Sequence, residues 1–202
     1  MMFLRYEKLS DYIKYYPVTT VLLLMNIAVF AAMLIVGSPY NTDTLIRFGA
    51  QVNVPPYQTE FWRYITSLFI HIGFEHLLFN CFALFVFAPP LERILGKIRY
   101  IVFYLGSGFT GNLVSQLLDT NVHVSAGASG AIYGIFAAFA YLGWLRKDLF
   151  DKQSRLTVRT MLIIGIVYSF IVPKVNLYAH LGGLAGGFLI LHIMLHWRRF
   201  ST

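Results

Sequence analysis

Residues 18–36 read VTTVLLLMNIAVFAAMLIV, nineteen consecutive positions without an acidic or basic side chain. A helix rises about 1.5 Å per residue, so about 20 apolar residues cross the roughly 30 Å hydrocarbon layer of a bilayer. A soluble helix of this length keeps a charged face, and here only Thr19, Thr20 and Asn26 break the apolar surface. Pro17 stands where a helix start tolerates a missing N–H. The stretch is too long, and too weakly flanked by a cleavage signal, to read as a secretory leader.

Five further apolar stretches follow, at about 62–88, 100–118, 129–145, 160–172 and 178–197. Pro89 and Pro90 are expected to stop the second, and Pro173 to stop the short fifth. The composition agrees: 57% of the 202 residues are hydrophobic and 12% are charged, too little polar surface for a disordered chain or a soluble nucleic-acid binder. The one cysteine, Cys81, excludes an internal disulfide framework and a cysteine-based zinc site. The reading is an all-α membrane protein, a six-transmembrane-helix bundle forming one polytopic domain over 1–202, with no repeat and no soluble appendage.

Basic residues orient the bundle, because loops on the cytoplasmic side carry the excess of Lys and Arg. With the N-terminus inside, the cytoplasmic set is Arg5, Lys8, Lys14, Arg93, Lys97, Arg99, Arg146, Lys147, Lys152, Arg155, Arg159, Arg198 and Arg199, 13 of the 16 basic residues. Arg47, Arg63 and Lys174 fall outside. Six spans then leave both termini cytoplasmic. The net charge of +7 is explained by topology, without nucleic acid as a partner. The expected location is a multi-pass position in a bacterial cytoplasmic membrane.

Polar groups at membrane depth are costly and mark candidate sites. Ser129 lies 17 residues from Arg146, His76 17 residues from Arg93, and His180 18 residues from Arg198. At the helical rise these are depths of roughly 26 to 27 Å. Three stretches therefore bring polar groups to one level near the outer face. A serine hydroxyl is a weak nucleophile that needs a base within hydrogen-bond reach, and His180 is the natural one. His76 and Asn80, four residues apart, share a helix face and carry N–H groups able to hold an oxyanion. His71 and His76 would project about 140° apart on one helix and would not serve the same point. None of the nine acids (Glu7, Asp11, Asp43, Glu60, Glu75, Glu92, Asp119, Asp148, Asp151) lies in the last three stretches, so a Ser–His dyad is expected instead of a triad. Gly130 with Gly134, and Gly183 with Gly187, have the four-residue spacing that lets helix backbones approach in lipid. Tyr133, one turn from Ser129, can pack on the His180 ring.

Together these residues resemble the rhomboid family of intramembrane serine proteases. The matching pieces are His71-x4-His76-x3-Asn80, Gly127-Ala128-Ser129-Gly130, and Ala179-His180-x2-Gly183-x3-Gly187, with Trp62-Arg63 and Glu92-x3-Gly96 as structural signatures. Each is weak alone; their order and spacing together are specific. The resemblance implies Ser129 as nucleophile and His180 as base. It implies His76, Asn80 and the Ser129 backbone N–H as oxyanion donors, Gly127 in the active-site loop, and Tyr133 as the packing partner of His180. Tyr178 departs from members with Gly ahead of the Ala-His pair. No cofactor and no metal is implied, and the expected partners are the lipid bilayer and single-span transmembrane substrates, cleaved near the outer boundary after local unwinding.

Each residue has a plainer reading. Gly-x-Ser-Gly alone is a helix start with serine near its N-cap, and it is not the Gly-x-Ser-x-Gly elbow. His180 alone reads as a packed intramembrane histidine, and Asn80 alone as helix–helix glue. His192 and His196 share a face but sit beside Trp197 and Arg198, where an interfacial position outweighs a metal site. Cys81 reads as a buried inert thiol. The competing functions are a catalytically inactive relative that binds membrane-protein clients and a small transporter or channel, although a transport path would spread polar groups through the bilayer. A metalloprotease fails because His71 to Glu75-His76 matches neither zinc motif. An aspartyl protease lacks its intramembrane pair.

Overall fold

The computed structural model describes residues 2–4, 6–145, 150–172 and 175–197. Arg5, Arg146, Lys147, Lys174, Arg198 and Arg199 of the charge count, with Asp148 and Pro173, lie outside the described residues. The helices are α1 (Leu9–Tyr15), α2 (Pro17–Val36), α3 (Thr42–Phe48), α4 (Arg63–Thr66), α5 (Phe74–Leu95), α6 (Lys97–Leu118), α7 (Ser129–Leu145), α8 (Lys152–Ile171) and α9 (Leu177–Trp197). Five of them, α2, α5, α6, α8 and α9, are long and apolar enough to cross a membrane, and α7 is a shorter apolar helix of 17 residues. Among the described residues, two short strands, β1 (Gln51–Val52) and β2 (Val124–Ser125), pair antiparallel beside the helices. They tie the loop after α3 to the loop that leads into α7.

The second stretch does not fold as its composition suggests. Its helix begins at Phe74, after a turn in which Gly73 has φ +83°; residues 63–69 form short helical turns and Ile70 is extended. The helix also runs through Pro89 and Pro90 to Leu95. A proline inside a helix deprives the carbonyl four residues earlier of its N–H partner. For Pro89 that carbonyl is Phe85 O, and it accepts a hydrogen bond from the Tyr12 hydroxyl of α1 at 3.1 Å. Beyond the prolines, Glu92 is 2% exposed and caps a different helix: its carboxylate accepts from the Val18 and Thr19 N–H groups at 2.9 and 2.8 Å and from the Thr19 hydroxyl at 2.7 Å. The first turn of α2, which has no side-chain cap of its own, is thereby satisfied. Continuing α5 past the prolines delivers that carboxylate.

The fifth stretch likewise gains length. α8 starts at Lys152, eight residues before the apolar run, because Asp151 caps it by accepting from the Ser154 N–H at 2.9 Å. The Ser154 N–H and hydroxyl hold the Asp151 carboxyl below the usual carboxylate range.

The centre of the molecule is the packing of α6, α7 and α9 against one another, with α5 on α7 and α2 on α5. Tyr100, Phe103, Tyr104, Leu84, Ile135 and Phe139 are fully buried there. Arg63 organises the loop between α3 and α5. Its guanidinium donates to Ile46 O and Ala50 O at 2.7 and 3.0 Å, pairs with Glu60 at 2.7 Å and lies over the Trp62 ring at 4.4 Å. This cation is buried because every contact it makes is an acceptor or a ring face. It stands as a structural clasp for the loop that carries His71.

Candidate active site

Glycines set the distance between α7 and α9. A β-carbon added to Gly183 would run into the Gly130 carbonyl, and one added to Gly187 would lie 2.5 Å from Gly134 Cα. A side chain at Gly134 would strike Ser107 of α6. The neighbouring glycines of α9 serve another contact: Gly182 and Gly186 face Val114 and Thr110 of α6. Two glycine pairs thus seat α9 between two helices at backbone contact. Close approach of this kind is what small residues permit in lipid.

At that seam His180 Nε2 is 2.8 Å from Ser129 Oγ. Ser129 is the first residue of α7 and half-buried; His180 lies in the first turns of α9 and is 7% exposed. The Tyr133 ring stacks on the imidazole, with centroids 4.1 Å apart and planes inclined by 12°. The other imidazole nitrogen, Nδ1, is 2.7 Å from Ser169 Oγ of α8. Ser169 also donates to Gly165 O at 2.8 Å and is 3.1 Å from the Tyr133 hydroxyl. Neither Gly165 nor Ser169 emerges from the sequence, where carboxylates are the expected third members of a triad. The signal present was small: a glycine and a serine four residues apart in an otherwise apolar, aromatic stretch.

His76 and Asn80 come from α5. The Ile72 N–H points at His76 Nδ1 at 3.3 Å, which makes Nδ1 an acceptor and leaves the proton on Nε2. That Nε2 faces the loop before Ser129: a β-carbon on Gly127 would be 2.7 Å from it. Gly127 has φ +124° and donates its N–H to Ser67 O at 2.9 Å, so both conformation and space require glycine. Asn80 is 5% exposed and donates one amide hydrogen to His76 O at 2.8 Å, keeping a second. His76 Nε2–H thus faces the loop that leads to a serine hydroxyl bonded to an imidazole, and Asn80 keeps one N–H beyond its bond to the His76 carbonyl.

The His71 expectation needs correction. His71 is fully buried and its ring meets that of His76, with centroids 5.1 Å apart. The 100°-per-residue argument fails because His71 precedes the Gly73 turn and is not on α5. Elsewhere, Asp119 is 3.3 Å from His123 Nδ1. His192 bonds the Tyr141 hydroxyl at 2.8 Å and stacks on His196. Among the described residues, no group of three or more His, Cys, Asp or Glu converges as a metal site would require.

Apolar helices long enough to cross a bilayer, with a polar cluster set among them, define an integral multi-pass membrane protein. Comparison with known proteins narrows the class. The family model described as the Rhomboid domain matches residues 58–197. The chain is 37% identical over 190 residues to the Bacillus subtilis (strain 168) rhomboid protein YdcA, covering 94% of each. It is 35% identical over 170 residues to Rhomboid protease GluP of the same organism, covering 84% of this chain and 33% of GluP. With Rhomboid protease AarA of Providencia stuartii the identity is 32% over 199 residues, 85% of this chain and 70% of AarA. The chain thus spans nearly all of YdcA and a third of the length of GluP. The chain belongs to the rhomboid family and is an intramembrane serine protease.

Proposed function

We propose that the enzyme hydrolyses peptide bonds of single-span membrane proteins through a Ser129–His180 dyad. The observation that carries this reading is the 2.8 Å separation of His180 Nε2 and Ser129 Oγ. Ser129 Oγ attacks the scissile carbonyl carbon while His180 Nε2 takes its proton. The resulting oxyanion is held by the Ser129 N–H, His76 Nε2–H and the free Asn80 N–H. The tetrahedral intermediate collapses, His180 protonates the leaving amine, and an acyl-enzyme on Ser129 remains. Water, deprotonated by His180, then releases the carboxylate product and restores Ser129. Gly127 keeps the loop clear of His76, Tyr133 fixes the plane of the imidazole, and Gly130, Gly183 and Gly187 set the distance between α7 and α9. The step uses neither cofactor nor metal.

The bundle counts six spans on this reading, since the 17 residues of α7 reach the lower end of the spanning range. All of 1–202 forms one polytopic domain, both termini are cytoplasmic, and the dyad lies near the outer boundary of a bacterial cytoplasmic membrane. A substrate helix must unwind there, since helical carbonyls are engaged and shielded. Purified protein incubated with a labelled single-span substrate should cleave it, and Ser129→Ala should not, while remaining folded because alanine suits a helix. Cleavage by Ser129→Ala at the wild-type rate would remove the dyad. For orientation, a cysteine introduced at Gln153 should resist an impermeant reagent added outside intact cells; efficient labelling would invert the topology.

A further inference from the structure

We propose that Ser169 of α8 is a positioning residue that holds the proton of His180 on Nδ1, so that Nε2 meets Ser129 as an acceptor. The inference rests on the dyad reading and goes beyond it by giving the base a partner from a third helix. Ser169 Oγ has three neighbours: Gly165 O at 2.8 Å, His180 Nδ1 at 2.7 Å and the Tyr133 hydroxyl at 3.1 Å. A hydroxyl carries one hydrogen and two lone pairs. A backbone carbonyl can only accept, so the Ser169 hydrogen goes to Gly165 O, the back-bond to residue i−4 that serines make in helices. The lone pairs then face His180 and Tyr133, and both must donate. His180 Nδ1 therefore bears the proton in the neutral ring.

The dyad imposes the same assignment from the opposite side of the ring. A neutral imidazole has one donor and one acceptor nitrogen. Nε2 can take the Ser129 proton only while it is the acceptor, which again puts hydrogen on Nδ1. The role is the orienting one that a buried aspartate fills in soluble serine proteases, where the wrong tautomer is costly to rate. Here a neutral hydroxyl fills it, and burial makes that practicable: Ser169 is 5% exposed and His180 is 7% exposed. Gly165 completes the seat. A β-carbon there would lie 2.5 Å from the Tyr133 hydroxyl oxygen, so the glycine is what lets Tyr133 reach Ser169.

The test uses the purified full chain, a labelled single-span substrate and selective 15N-histidine labelling. Ser169→Ala should lower kcat roughly 10- to 100-fold, the scale of leaving one buried donor without its acceptor, with KM little changed. Ser169→Thr, which restores the hydroxyl, should recover most of the rate. The 15N shifts of His180 should report the proton on Nδ1 in the wild type and a shift toward Nε2 in Ser169→Ala, a readout that loss of packing alone would not produce. If Ser169→Ala fails to fold, the wild-type spectrum decides: a proton on Nε2 overturns the inference. An inert Ser129→Ala beside a fully active Ser169→Ala with the Nδ1 proton unchanged would sink the inference alone. A fully active Ser129→Ala would remove the dyad and this inference with it.

Discussion

The proposed base is held between two helices of opposite character. α7 buries twelve of its seventeen residues, and its glycines meet those of α9 backbone to backbone. α8 buries three of its twenty, Ser154, Val158 and Ser169, and presents Ile163, Ile164, Val167 and Phe170 outward. Both touch the same imidazole, α7 through Ser129 and Tyr133 and α8 through Ser169. The spacing of Ser129 and His180 is thus built into a dense seam that cannot shift without steric conflict, whereas the second imidazole nitrogen rests on a helix with little other burial. On the proposed mechanism, distance and proton placement belong to separate parts of the bundle and can be broken separately.

The largest effect is expected at the dense seam. Gly183→Leu would place a side chain against the Gly130 backbone. Overpacking of this kind costs about 1–3 kcal/mol or more, and separation of α7 from α9 should remove cleavage altogether. The assay should show lost activity together with a lower thermal midpoint. A Gly183→Leu protein as active and stable as wild type would mean that the close approach is not needed.

A smaller loss is expected at the loose side. In Gly165→Ala the new methyl group meets the Tyr133 hydroxyl, and α8 can yield by moving outward. Activity should fall by roughly tenfold, about 1.4 kcal/mol in the barrier, with a midpoint closer to wild type than that of Gly183→Leu. Ile164→Ala on the exposed face of α8 is the control and should behave as wild type. Equal destabilisation by Gly165→Ala and Gly183→Leu would erase the distinction between the two helices.

Asn80→Ala should slow turnover by at most about 10²–10³, the effect of one oxyanion donor in a soluble protease, since His76 and the Ser129 N–H remain. Kinetics at saturating substrate would show it in kcat. The smallest effects belong to the acids. Glu75→Gln and Asp119→Asn should retain most activity, and the pH profile should still rise through one ionisation as the imidazole loses its proton. Asp119 is engaged with His123, outside the dyad. An inactive Asp119→Asn protein with normal stability would turn the dyad into a triad.

Which parts of this arrangement are visible in the sequence follows from the range of the forces involved. The fourth apolar stretch and α7 both start at Ser129, because the local apolar run opens directly after the turn at Gly127. The same local rule misplaced the second stretch. Pro89 and Pro90 look like a stop until Tyr12, more than 70 residues away, supplies a donor for the stranded Phe85 carbonyl. A helix wheel fails for His71 because the Gly73 turn interrupts it. Ser129, His180, His76 and Asn80 are legible because each is polar in apolar surroundings and stands in a recognisable spacing. Ser169 meets the first condition but has no motif, and its contact with His180 comes only from the packing of α8 beside α9. The β1–β2 pair, two residues a side, is too short for any periodicity to announce it.

On the proposed mechanism, Ser129 is nucleophilic because His180 touches it. Labelling of the purified protein with a fluorophosphonate probe, followed by mapping of the modified peptide by mass spectrometry, reads that dependence out. A single adduct on Ser129 is expected, absent in His180→Ala while that protein remains folded. An adduct on another residue, or undiminished labelling of Ser129 without His180, would contradict it.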